Sequence, residues 1–367
     1  MSFTENNKFH TEHLYGLRAL CALIVALYHY KTISTSTVTD NLFIENGYRF
    51  VDVFFSLSGF ILYFSYSEIN KNIKSIFSFL KRRFLRLYPL HLLLLFLFFL
   101  IEIMKLYFEQ NYDLYGNTHS FELLNIKSFF LKLLMLEGFW GNVNATLALN
   151  PVSWSISVEF VCYILMIFMI VFIKNKFHIF AFILITFSCL LVLIFKKSFF
   201  AIGSYMCLVR GFYSFFLPII IYILFKKINF KNNNFISYII FFSFLYLITI
   251  NSIISYVLCP ILVSFFINCT LKVGKKNHLI NLLNLNFFTF LGKISYGVYM
   301  FHVLIWWSIS QFFRFILKYD TKILPSKDIE IIDLTPLESN IILVLGLLMI
   351  ISISSLSYNF FEKKFYK

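Results

Sequence analysis

Charged side chains inside apolar runs are the residues of this chain best placed to do chemistry. Arg18 and His29 stand in the first such run, Asp52 in the second and Glu159 in the fourth, with Arg210 in the sixth and His302 in the ninth. An ionisable group in hydrocarbon is costly and is a functional candidate by default. Arg18 and His29 lie eleven positions apart. A helix makes about three turns plus 20° over that distance, so both project from one face, about 16 Å apart along the axis. Ala22 and Val25, between them on that face, are small. An arginine below, a histidine above and small residues between could line a slender channel. The alternative is an arginine snorkelling to one interface and a histidine capping the other end.

Glu159 follows the stretch NPVSWSIS, one to two turns into its run. A buried carboxylate must be protonated or paired, so a structural pairing with Arg210 stands beside any catalytic role. In KRRFLRLYPLH (81–91), Arg83 and Arg86 share a helix face at i, i+3. Two guanidiniums on one face make a phosphate clamp; the plainer reading is a basic anchor at the foot of a span.

The elements that must hold these groups are transmembrane helices. The chain has 367 residues, 59% hydrophobic and only 14% charged, with mean hydropathy +0.79. It lacks the polar residues to cover a soluble core, so lipid must do the covering. At about 20 apolar residues per crossing, the runs predict about ten spans: 14–31, 47–66, 87–107, 151–173, 177–195, 203–225, 235–252, 254–271, 290–316 and 340–361. The predicted fold is all-α, a polytopic bundle forming one membrane-embedded domain over 1–367. Roughly eighteen Lys and Arg fall in segments on the side of the termini and roughly nine on the other, which predicts both termini in the cytoplasm. The start of the chain has no basic leader with a cleavage site, so the first run is expected to stay as an anchor.

The longest loops, 108–150 and 317–339, then face outside, and 127–136 (KSFFLKLLML) predicts a short interfacial or re-entrant helix. Neither loop is large enough for a catalytic domain, so any chemistry must be built from the bundle. The net charge of +14 is scattered through loops with no contiguous basic face, which argues against nucleic acid. The six cysteines lie in apolar runs without metal-ligand spacing and read as packing residues. No metal is expected.

Several segments, in order along nearly the whole chain, resemble the acyltransferase-3 family of bacterial membrane acyltransferases. YGLRALCALIVALYH (15–29) resembles its opening Arg-x10-His segment and VDVFFSLSGFIL (51–62) its FFxxSGF segment. RFLRLYP (83–89) carries its RxxR pattern, and WSISVEF (154–160) is similar to its Trp-Ser-Leu-Ser-x-Glu segment. LGKISYGVYMFH (291–302) and SYNFFEKKF (357–365) also fit. Tyr15 stands where many members have an acidic residue, Phe50 where a Gly often stands, and Phe160 in place of a frequent second Glu.

The resemblance implies an O-acyltransferase of the bacterial cytoplasmic (inner) membrane. Its donor would be cytoplasmic acyl-CoA, most often acetyl-CoA. Its acceptor would be a hydroxyl of a surface glycan (lipopolysaccharide O-antigen, capsule or exopolysaccharide) or of a lipid-linked sugar. Arg83 and Arg86 would take the nucleotide phosphates, and Arg18 the cofactor or its thioester end. His29 would be the general base, and Glu159 would orient it or stabilise its imidazolium. Ser58 and Trp154 would line the site, with Asp52 and His302 among the substrate-binding residues. A transporter or flippase of a glycolipid precursor is the competing reading, against which no inverted repeat is visible.

Overall fold

The computed structural model describes residues 11–69, 72–140, 143–173, 176–194, 206–225, 234–271, 277–324 and 329–365. The pairs of lysines expected to orient the bundle at 196–197, 226–227 and 275–276 lie outside the described residues, as do Lys8 and Lys71.

Each predicted apolar run is a helix. In chain order these are α1 (Glu12–Tyr30), α2 (Phe50–Tyr66), α3 (Ile73–Tyr112), α4 (Trp154–Phe168), α5 (Phe177–Ile194), α6 (Met206–Phe225), α7 (Asn234–Thr249), α8 (Ile253–Thr270), α9 (Asn286–Gln311) and α10 (Pro336–Phe360). Among the described residues seven helices are long and apolar enough to cross a membrane: α3 to α6 and α8 to α10, with α4, α9 and α10 extended by their final turns. The other three fall short for physical reasons. α1 carries Arg18 and three histidine or glutamate side chains in 19 residues, while α2 and α7 have only 17 and 16.

α3 departs most from expectation. The third span was predicted to begin at 87, yet the helix runs unbroken for 40 residues from an Asn72 cap that accepts from Ser75 N–H. At 1.5 Å per residue it is about 60 Å long, twice the hydrocarbon thickness. Arg83 and Arg86 are therefore fixed on the shaft of a long helix rather than carried by a loop.

α1 is held between α9 and α10. Gly292 lies against the backbone of Tyr15, and Gly16 against the backbone of Leu283; a side-chain carbon at either position would strike a carbonyl. Higher on the same seam Trp306 Nε1 donates to Ala26 O at 2.9 Å, and Tyr30 Oη donates to Ser339 O at 2.7 Å. α2 packs on α6 with similar closeness, Gly59 lying against the Phe215 carbonyl and Ser56 Oγ donating to Ser214 O at 2.9 Å.

The long loops are ordered covers at the end of the bundle where α1 and α3 finish. Ile126–Leu133 is a helix begun by an Asn125–Ser128 capping box. Its Lys132, a residue expected to add to the charge of an external loop, is fully buried and donates to Thr146 O, Asn150 O and Ser153 Oγ at 2.8–2.9 Å. The second loop holds an antiparallel hairpin the sequence reading did not foresee, β1 (Thr321–Leu324) with β2 (Ile329–Ile332). Ile332 N–H donates to Ile33 O at 2.7 Å, which seats the hairpin on the chain leaving α1.

Candidate functional site

One stripe of α9 organises the site. Lys293, Tyr296, Tyr299, His302 and Trp306 follow one another at three- and four-residue steps, a line that winds about the helix because each three-residue step falls about 60° short of a full turn. Lys293 and Tyr296 line a first cavity, Tyr296 and Tyr299 a second and Trp306 a third.

The first, of about 800 Å³, lies where α1, α3 and α9 begin and α10 ends. Lys81, Arg82, Arg83, Arg86 and Lys293 line it, together with Tyr15, Tyr296 and Tyr358. Arg83 is pre-oriented: its Nη2 donates to Tyr66 Oη at 3.2 Å, and the guanidinium lies 5.5 Å from the Tyr66 ring and 5.6 Å from that of Phe79. Its Nε is buried with no hydrogen-bond partner. A concave wall of cations with an unmet donor suits an anion of several charges.

The second cavity is small, about 40 Å³, and shares Tyr296 with the first. Arg18 and Glu159 both line it, with Ser155, Ser295, Tyr299 and the rings of Phe54 and Phe55. Arg18 Nε is buried and unpartnered. Arg86 repels its charge, while Glu159 attracts it. Glu159 in turn accepts a hydrogen bond from Tyr163 Oη, one turn on. Tyr299 Oη bonds Ser155 Oγ at 2.8 Å and donates to Val152 O at 3.1 Å, tying α9 to α4.

The third cavity, about 650 Å³, lies at the opposite ends of α1, α3 and α9. His29 lines it beside Trp306 and Trp307, with Asn117, Gln311, Lys105 and Glu109 among its polar groups and Phe108 and Phe312 among its apolar ones. The His29 ring meets His302: His29 Nδ1 is 3.1 Å from His302 Nε2 and 3.0 Å from Val25 O. His302, fully buried, is fixed through its Nδ1, 2.6 Å from Tyr299 O.

The structure thus places Arg83 and Arg86 on the first cavity, Arg18 and Glu159 on the second and His29 on the third, with His302 buried behind His29, and leaves three expected residues away from all of these. Asp52 is taken by Arg210, at 2.7 and 3.1 Å, and also accepts from Ser214 Oγ at 3.2 Å. Trp154 is buried against that pair, 5.5 Å from the Arg210 guanidinium, and Ser58 is buried in α2; neither lines any of the three cavities. Glu159 pairs with neither Arg210 nor His29: the carboxylate expected beside the histidine sits at the arginine end, and a second histidine takes the place beside His29. Ala22 and Val25 are buried in the core and line none of the three cavities, so the expected channel along α1 between Arg18 and His29 is filled by packing. Tyr296, Tyr299, Tyr163 and Lys293 were not singled out from the sequence, although the three-residue spacing Tyr296–Tyr299–His302 was there to be read.

Among the described residues no group of three or more His, Cys, Asp or Glu side chains is arranged to hold a metal ion. A multi-pass helical protein with an arginine-lined cavity at one end and a histidine-lined cavity at the other defines the class. A family model described as an acyltransferase domain matches residues 13–359, nearly the whole chain. The chain belongs to the acyltransferase-3 family and is a membrane acyltransferase. Neither curated proteins nor solved structures gave a match.

Proposed function

We propose that the protein moves an acetyl or other short acyl group from cytoplasmic acyl-CoA to a hydroxyl of a cell-surface glycan, such as lipopolysaccharide O-antigen, capsule or exopolysaccharide, or of a lipid-linked sugar precursor. The observation that carries this reading is a basic cavity at one end of α9 and a histidine-bearing cavity at the other, with the narrow Arg18–Glu159 cavity beside Tyr296 and Tyr299 between them.

The basic cavity fits the phosphates of the donor: Arg83 and Arg86 would clamp them, and the unpartnered Nε of Arg83 gives one donor not already used. Bound there, the donor supplies a thioester-activated acyl group. Arg18, with an unmet Nε in the narrow section, would hold the cofactor's arm, and Glu159 would hold Arg18. In the third cavity the indole of Trp307 offers an apolar face to a sugar ring, while Gln311 offers an amide to its hydroxyls. With Arg18 holding the arm of the donor midway, its thioester would reach the third cavity, where His29 would accept the proton of the attacking hydroxyl as its oxygen bonds the acyl carbon, and return it to the departing sulfur. Asp52 and Trp154 would serve this site indirectly, by holding α2 against α6.

The test is label transfer. Purified protein should move labelled acetyl from acetyl-CoA to extracted surface glycan, with the glycan mass rising by acetyl increments. Absence of transfer across a panel of short acyl-CoA donors and glycans, by folded protein, would contradict the proposal.

A further inference from the structure

We infer that His302 is the positioning residue that sets the tautomer of His29 and holds its ring for proton abstraction. The inference rests on the reading of His29 as the general base and adds the group through which that base is controlled.

The hydrogen-bond chain has one consistent protonation pattern when both rings are neutral. A backbone carbonyl only accepts, so the 2.6 Å contact of His302 Nδ1 with Tyr299 O places the hydrogen of His302 on Nδ1. Its Nε2 is then a lone pair, and that lone pair faces His29 Nδ1 at 3.1 Å. His29 Nδ1 also lies 3.0 Å from Val25 O, a second group that only accepts. Both neighbours therefore ask the same atom for a hydrogen, and Nδ1 carries it. The basic lone pair of neutral His29 is then on Nε2. A tautomer fixed by the partner of the other nitrogen is a general device for imidazole.

The partner must also hold the ring still, and the seam provides for that. Below the pair, Gly292 lets α9 approach the Tyr15 backbone; above it, one turn beyond His302, Trp306 Nε1 donates to Ala26 O at 2.9 Å. Trp306 also packs on Tyr30, the residue after His29, with 5.1 Å between ring centroids, so α1 and α9 are pinned on both sides of the two histidine rings, whose own centroids are 4.8 Å apart. When His29 takes a proton at Nε2, its Nδ1–H faces an acceptor lone pair on His302 and the Val25 carbonyl, and both favour the imidazolium. No further proton acceptor or reactant is needed: the hydroxyl proton goes to Nε2 and leaves from it.

The sharpest test compares His302→Gln with His302→Leu. Glutamine can present its carbonyl oxygen near the place of Nε2, whereas leucine keeps bulk without an acceptor. The leucine variant is expected to lose about 100-fold in kcat with donor KM unchanged, and the glutamine variant to stay within about tenfold of wild type. Equal kcat for leucine variant and wild type would overturn the inference, as would equal loss in both variants when each folds. His29→Ala separates this from the parent reading: if that variant is dead while His302→Leu is active, only the positioning role fails; if His29→Ala transfers normally, the base assignment fails first. Should the His302 variants not fold, nitrogen-15 histidine NMR of the wild type decides: a hydrogen on His29 Nδ1 is expected, and a hydrogen on Nε2 instead contradicts the inference.

Discussion

Charge enters this bundle in two places, and the two are built differently. Between α2 and α6, Asp52 and Arg210 close on one another: the guanidinium donates to both carboxylate oxygens and to Tyr48 O, and Ser214 adds a further donor to Asp52. Between α1, α4 and α9, Arg18, Glu159 and His29 line cavities, and the Arg18 Nε has no partner. The residue types are nearly the same. A buried pair that satisfies itself is scaffold, whereas charges held apart beside open space keep binding capacity for something else. Intramembrane charge alone therefore does not find the site; unmet hydrogen bonds next to a cavity do.

The comparison breaks first at the closed pair. Asp52→Ala should cost about 3–5 kcal/mol, because it strands a buried guanidinium, read as a fall in the thermal midpoint of the detergent-purified protein. Asp52→Leu combined with Arg210→Met should recover much of that loss. At the open cluster the signature should be reversed. Arg18→Met should lower transfer about 100-fold, about 2.7 kcal/mol at 1.36 kcal/mol per tenfold, while stability changes by less than about 1 kcal/mol. Equal stability losses at Asp52 and Arg18 would dissolve the distinction between the two regions. The smallest effect sharpens it: Arg83→Ala with Arg86→Ala should raise donor KM about tenfold, near 1.4 kcal/mol, and move kcat less than about twofold. A fall in kcat with KM intact would place those arginines near the reacting atoms instead of at the phosphates.

The cost of burying charge made Arg18, His29, Asp52, Glu159 and Arg210 visible in the sequence, and helix spacing paired Arg83 with Arg86. What it could not supply was who meets whom. His29 and His302 are 273 positions apart, and nothing local in either segment links them; only the glycine contacts and the Trp306–Ala26 bond bring the helices together. The apolar runs marked the helices well, yet the third span was started at 87, where its apolar run begins, while the helix continues back through KRRFLR to Ile73, since Lys and Arg are good helix formers. Lys132 was misjudged for a related reason: a lysine in a loop is expected in water, and its three buried acceptors come from residues 146 to 153, which the fold alone returns to it.

The central claim is that donor binding and proton abstraction sit at opposite ends of the bundle, along α9. It is tested most directly by measuring acetyl-CoA affinity and acetyl transfer to glycan together, for wild type and His29→Ala. The account predicts unchanged affinity with transfer reduced at least about 10³-fold. Normal transfer by His29→Ala, or a loss explained by weakened donor binding, would contradict it.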